Sequence, residues 1–364
     1  MPEYLAPDVY VEEVPTGSHP IEGVGTSTTG FVGEAVAGPL DEVVHVGSFS
    51  DFERTHGGLH QTADLKYAIH QFFLNGGTDA RVVRVTDERR VPDVLHAFDA
   101  VESLGLLCLP GYTGRDTLTA ALEYCEGRRA FLLADGPPID MAAAKDLAAA
   151  LRATGRSNGA VYFPHLTVAD PLAGNTPRYV PPAGSVAGLI AQNDVRVGPW
   201  ATLLSPEIAG AFGVSAIVDG DATRSLHLAG VNVIRSTVGP TIALDGAVTI
   251  AADDQWKYVP VRRLLLFIER SVTRGLQWAV FEPNSRRLWM RLTLAVKRFL
   301  ASLWARGALH GETAADAFLV KCDRDTMTRA DLRAGRAVML VGVAPAAPGD
   351  FRLLRVVVVT RPRT

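Results

Sequence analysis

The sequence predicts a mixed α/β and α+β chain: an α/β sheet domain, a smaller α+β domain after it, and an extended β arm at each end. Three observations predict this. Apolar strand signals alternate with helical ones between residues 80 and 163, the pattern of a parallel sheet with crossover helices. Two amphipathic helical patterns follow Asp253-Asp254, and strand-like runs close the chain. Each terminus carries a β-type run that cannot bury itself alone. With roughly 100–200 residues per domain, 364 residues fit two domains. The expected boundaries are an arm over 1–24, the sheet domain over 25–240, the second domain over 241–350 and a C-terminal arm over 351–364.

Pro2, Pro7, Pro15 and Pro20 block a helix at the N-terminus and leave one short strand around Val9-Tyr10-Val11-Glu12. Glycine-punctuated strands follow at Thr29–Gly33 and Glu42–Val46. A helix over 62–74 is stopped by Asn75-Gly76-Gly77, and Ala80–Val85 is a strand. Strands at 104–109, 129–134 and 160–163 then alternate with helices at 115–126 and 141–154. The Pro/Gly-rich stretch Pro171–Gly188 reads as a surface loop, and strands follow at 214–218 and 231–234, with a turn at Val238-Gly239-Pro240. Helices are expected over about 260–278 and 284–306, and strands near 317–321, 337–343 and 351–360.

Apolar residues make up 48% and charged residues 21%, a composition that can bury a core. The formal charge of −3 removes the overall basic excess of a nucleic-acid binder. Cys108, Cys125 and Cys322 form no CxxC pair and lack a histidine at ligand spacing, so no disulfide framework, zinc site or other metal site is expected. The acidic, proline-bearing start predicts synthesis in the cytoplasm without a signal peptide, and no apolar run reaches the roughly 20 residues of a membrane span.

Four constellations bear on function. Gly23-Val24-Gly25-Thr26-Ser27-Thr28-Thr29-Gly30 fits neither the dinucleotide nor the P-loop spacing, so no cofactor is assigned to it. Gly111, Asp135, Asp140 and His165 fall at strand ends, where ligands of parallel sheets sit, and give the alternative of an α/β hydrolase or transferase using strand-end carboxylates. No GxSxG or HExxH motif accompanies them. In the segment 284–306, Leu288, Trp289, Leu292, Ala295, Val296, Phe299, Leu300 and Leu303 share one helical arc, while Arg286, Arg287, Arg291, Lys297 and Arg298 share the opposite side with no acid between Ser285 and Arg306. Such a face is either solvated or opposes an acidic partner, since an ordinary exposed face mixes signs. Finally, residues 1–14 carry Glu3, Asp8, Glu12 and Glu13 and no base, whereas 352–364 carry Arg352, Arg355, Arg361 and Arg363 and no acid. An acidic strand Val9-Tyr10-Val11-Glu12-Glu13 paired with the basic strand Arg355-Val356-Val357-Val358-Val359 would either close a sheet within one chain or link neighbouring chains.

Pro7-Asp8-Val9-Tyr10-Val11-Glu12-Glu13-Val14-Pro15, Phe31-Val32-Gly33, Tyr162-Phe163-Pro164, Val180-Pro181-Pro182-Ala183-Gly184, Trp256-Lys257-Tyr258-Val259, Val261-Arg262-Arg263 and Phe281-Glu282-Pro283-Asn284 occur in order, followed by Leu303-Trp304, Gly307-Ala308-Leu309 and Gly342-Val343-Ala344-Pro345. In these motifs, spread over nearly its whole length, the chain resembles the contractile tail sheath family of phage tails, R-type pyocins and extracellular contractile injection systems. It departs at Asp245-Gly246-Ala247-Val248-Thr249, where many members carry aromatic-Gly-Ala-Arg-Thr. The resemblance implies a non-enzymatic subunit without cofactor, with an outer α/β domain and an inner α+β assembly domain. It implies self-assembly as stacked hexameric rings around an inner tube protein, contact with baseplate and terminal cap proteins, and neither nucleic-acid binding nor direct membrane insertion. The subunit would belong to a phage tail-like particle released from the cell. Arg286, Arg287, Arg291, Lys297 and Arg298 would face the tube, and the two terminal runs would exchange between subunits.

Overall fold

The computed structural model describes residues 19–58, 63–237, 241–347 and 349–360. Two compact units divide the chain: Gly23–Arg270, and Met1–Glu22 together with Ser271–Thr364. The strands are β1 (Thr28–Gly33), β2 (Val43–Val46), β3 (Ala80–Arg84), β4 (Leu104–Cys108), β5 (Phe131–Asp135), β6 (Gly159–Phe163), β7 (Leu166–Asp170), β8 (Thr176–Val180), β9 (Ala211–Val214), β10 (Val231–Ser236), β11 (Ile242–Asp245), β12 (Phe318–Lys321), β13 (Arg336–Val343) and β14 (Arg352–Val359).

In Gly23–Arg270 an eight-stranded sheet runs in the order β11-β10-β6-β5-β4-β1-β3-β2. The six central strands are mutually parallel, and β11 and β2 join antiparallel at the two edges. Apolar side chains alternate between two separate buried clusters. Phe31, Val82, Leu106, Phe131 and Tyr162 point to one, and Val32, Val83, Leu107, Leu132 and Phe163 to the other. Burial on both faces is why these strands read as short, nearly continuous apolar runs. A smaller sheet, β8-β7-β9, accompanies the large one.

The α/β reading of the middle of the chain matches this unit, with one correction. Pro171–Gly188 is a surface loop only in its first part: Pro171–Pro177 is exposed, but the stretch also holds the hairpin strand β8 and the start of the buried helix Ala183–Arg196. Gly174 is a turn glycine at φ +63°, but Gly184 and Gly188 are sites of close approach rather than helix breakers. A Cβ on Gly184 would run into the carbonyl oxygen of Ala68, and one on Gly188 into that of Phe72, both on the helix Asp64–Leu74 packed alongside. The expected strand over 214–218 lies earlier, at β9.

In the second unit, the three-stranded antiparallel sheet β12-β13-β14 packs with the helix Arg286–Ala305, which contacts β12. Leu292, Val296, Leu300, Val341 and Val343 are fully buried. The division between units falls within the helix Val259–Gly275. Among the described residues no helix is long and apolar enough to cross a membrane.

Candidate functional site

The strand-end groups are taken up by the backbone. Asp135, fully buried at the end of β5, accepts from the Ala183 N–H at 2.8 Å and the Gly111 N–H at 3.2 Å, stapling the start of a helix to the loop after β4. Burial pushes its carboxyl up to about 7 against those two bonds. Asp140 accepts from the N–H groups of Ala142 and Ala143 as a helix N-cap, and the His165 ring lies 3.0 Å from the Gly136 carbonyl. Desolvation lowers His165 to about 4, which keeps the ring neutral. Among the described residues no group of His, Cys, Asp and Glu is arranged to hold a metal ion. All three cysteines are buried, and desolvation raises their thiols, Cys322 to about 12, far from a reactive thiolate.

The motif Val261-Arg262-Arg263 also has a structural job inside Gly23–Arg270. Arg263 clasps Asp194 with two bonds, Nη1 to Oδ1 at 2.8 Å and Nη2 to Oδ2 at 2.6 Å, and Thr26 Oγ1 donates to the same carboxylate at 2.6 Å. Arg262 donates to Asn158 Oδ1 at 2.6 Å and stacks on Trp256, 5.0 Å from the ring centre. Sequence reading assigned neither pair, because both span far-apart segments.

The helix Arg286–Ala305 is built as expected along its buried side. Ser285 caps it by accepting from the Leu288 N–H at 3.3 Å, and the Trp289 indole donates to Asn284 Oδ1 at 2.6 Å. Leu288, Trp289, Leu292, Val296, Phe299, Leu300 and Leu303 are buried. Arg286, Arg287, Lys297 and Arg298 are exposed and form no ion pair among the described residues. Two of them sit in the first turn, where the helix dipole disfavours positive charge by about 0.3–1 kcal/mol, a local cost that an anionic partner would remove.

Two details of that face were not legible from its charges. Arg291 is half-buried, with its guanidinium 2.8 Å from Glu282 and 4.3 Å from the Trp278 ring centre. The face is basic along the helix, but the segment before the helix supplies an acid to one of its five cations. Met290, at 66% exposure, and Leu294, at 49%, lie in the middle of the cationic face, with Arg286 and Lys297 to one side and Arg287 and Arg298 to the other. The i, i+4 spacing of Met290 and Leu294 was the available signal.

The C-terminal run forms β14, which pairs antiparallel with β13 through eight residue pairs, from Arg336↔Val359 to Arg352↔Val343. β14 is the edge of its sheet, and its outer side carries no strand among the described residues. Leu353, Arg355, Val357 and Val359 alternate as exposed positions along it. The candidate arm residues Val9, Tyr10, Val11, Glu12 and Glu13 lie outside the described residues.

Comparison with known proteins adds a relationship to this geometry. Residues 251–358 match the model of the phage tail sheath C-terminal domain, a stretch that holds the Arg286–Ala305 helix, β12, β13 and all but the last residue of β14. A putative prophage major tail sheath protein of Pseudomonas aeruginosa (strain UCBPP-PA14) is 27% identical over 258 residues, which is 68% of this chain; the match spans 64% of that relative's length. The anti-feeding prophage helical sheath in its contracted state superposes with a TM-score of 0.77 at 27% identity, covering 97% of this chain and 99% of that one. The contracted PVC sheath complex of an extracellular contractile injection system gives 0.75 at 25% identity, covering 97% and 98%.

Proposed function

Because the chain belongs to the contractile tail sheath family, we propose that it is a structural subunit of a contractile sheath, polymerising as stacked hexameric rings around an inner tube and contracting to drive the tube through a target envelope. The observation that carries this reading is the edge of β14: eight residues long, valine-rich and without an outer partner among the described residues. An open edge of that kind is an aggregation hazard unless another chain's strand occupies it. The acidic run Val9–Glu13 of a neighbouring copy fits it in charge, because Arg355 lies on the exposed side of β14 and Arg361 and Arg363 follow. Backbone ladders formed this way persist through rotation of the subunits, whereas single side-chain pairs would not.

The other surface is the cationic face of the Arg286–Ala305 helix, which we assign to the inner tube. Each exposed Arg or Lys contact is worth about 1 kcal/mol or less and weakens with salt. Contacts this weak suit a face that must release the tube during contraction. Met290 and Leu294 add apolar area that salt does not screen. In this reading the outer domain, 25–240, lies within the unit Gly23–Arg270, and the inner assembly domain, 241–350, takes the last 30 residues of that unit and most of Ser271–Thr364, with baseplate and terminal cap proteins as further partners. Synthesis and assembly take place in the cytoplasm, and the finished particle is released. Contraction needs no hydrolysis in the subunit, since a metastable lattice releases its energy as new contacts form. Asp135, Asp140 and His165 have backbone partners, so the hydrolase or transferase alternative gains no acid–base pair from them.

Electron microscopy of purified material tests the proposal: striated tubes are expected. Chains lacking residues 1–20 are expected to stay folded but not to polymerise. Normal tubes from that truncation would refute the arm assignment, and a discrete monomer from the intact chain under all assembly conditions would refute the sheath reading.

A further inference from the structure

Within the smaller unit, a groove of about 740 Å³ runs along the Arg286–Ala305 helix, between it and the first described residues of the chain. His19 and Ile21 form one wall, and Arg287, Arg291 and Arg298 line the other. Trp278 lies between the walls, stacked on His19 with ring centres 4.4 Å apart and covered on its other contact by Arg291. The groove is strongly cationic: Glu282 offsets Arg291, while Arg287 and Arg298 have no ion pair among the described residues. Trp278 Nε1 is a buried donor with no acceptor among them. Arg287 and Arg298, exposed and without an ion pair among the described residues, call for an extended acidic segment whose carboxylates can accept from both.

We propose that in the unassembled subunit this groove seats the chain's own acidic N-terminal segment, Glu3–Glu13, in cis. Two facts select that occupant. The preceding chain enters at the groove itself, since His19 is both the first described residue and part of the wall. Its charge is complementary, with Glu3, Asp8, Glu12 and Glu13 and no base. The reach also fits. Six extended residues from His19 back to Glu13 cover about 20 Å, and Arg287 to Arg298 spans roughly 17 Å of helix. Tethering makes the contact intramolecular, at an effective concentration on the order of millimolar, so modest charge pairs suffice.

The consequence for assembly rests on the sheath reading: Arg287, Arg291 and Arg298 also belong to the face assigned to the tube. The acidic segment and the tube then compete for the same cations. A subunit meeting a tube would free its arm, and a subunit without one would keep the arm stowed and β14 of its neighbours uncapped. Polymerisation would therefore be coupled to the presence of a tube.

The test uses the full-length chain, unassembled, with the photoreactive amino acid benzoylphenylalanine in place of Tyr10. Irradiation is expected to join residue 10 to peptides within 287–302 of the same molecule, with a yield independent of protein concentration. Arg287→Glu with Arg298→Glu should lower that yield roughly tenfold, as expected for losing two exposed charge contacts. Adding Glu12→Arg and Glu13→Arg should restore it. Glu12→Gln with Glu13→Gln, which leaves the groove untouched, should lower it as well. Crosslinks confined to other regions, crosslinks between molecules that rise with concentration, or a yield unmoved by these variants would overturn the proposal. Tube formation by electron microscopy is scored separately, so failure of cis docking and failure of the sheath reading are distinguishable.

Discussion

Replacing Arg263 with alanine would leave the Asp194 carboxylate buried without its cation. The Asp194 side chain is 2% exposed and that of Arg263 7%, and the pair is bidentate at 2.8 and 2.6 Å. Thr26 would still donate to the carboxylate at 2.6 Å, but one hydroxyl does not replace a guanidinium. Breaking one side of such a pair costs about 3–5 kcal/mol, mostly the penalty of an uncompensated buried charge. For a unit the size of Gly23–Arg270, each kcal/mol moves the melting temperature by about 2–4 °C, so the shift should be roughly 6–20 °C. Removing both charges with Arg263→Met and Asp194→Leu should recover most of the loss, because neither partner is then stranded. Urea titration of the unaltered chain and the two variants, with hydrogen exchange to assign the transition to Gly23–Arg270, measures both effects. A cost below about 1 kcal/mol for the single change, or a double variant no better than the single, would refute a desolvated pair.

Reversal of Arg287 and Arg298 to Glu should change the stability of the subunit by no more than about 0.5 kcal/mol, since both are exposed, yet abolish tube-templated assembly; co-sedimentation with tubes across a salt series checks this, and assembly indifferent to both reversal and salt would make the face merely solvated. Asp135 gives a pH signature. Its carboxyl is raised to about 7 in the folded chain, above its unfolded value of 3.8, so the fold holds that proton more tightly and this contribution is full below pH ~4 and lost as pH rises through about 7. Asp135→Asn should remove that slope, and stability curves for the two proteins that run parallel from pH 4 to 8 would contradict it. Gly184→Ala should destabilise by about 1–3 kcal/mol by pushing apart the helices Asp64–Leu74 and Ala183–Arg196, read by urea unfolding; an unchanged midpoint would mean that the helices are not in close contact.

Most of the architecture was legible wherever one periodicity held. The strands at 104–108, 131–135 and 159–163 and their intervening helices follow from runs of apolar residues buried on both faces. The Arg286–Ala305 helix follows from an apolar arc whose members are buried, apart from the half-buried Ala295. The helical end of Pro171–Gly188 was not legible, because glycine at a close helix contact looks the same in sequence as glycine in a turn. Only Ala68 and Phe72, more than a hundred residues away, distinguish the two.

The same division applies to the candidate surfaces. Sequence alone determined the segregation of charge: an acidic first segment, a basic helix and a basic last segment within a chain of net charge −3. The order of acidic and basic residue types is written in the sequence, and folding cannot rearrange it. The tertiary structure decided what each charge faces. It gave Arg291 to Glu282 and Trp278, placed Met290 and Leu294 among the exposed cations, spent Asp135 on two backbone N–H groups, and left β14 as an edge. Those outcomes depend on which distant segments meet in space, and a side chain becomes a contact or a free group only when its neighbours are fixed.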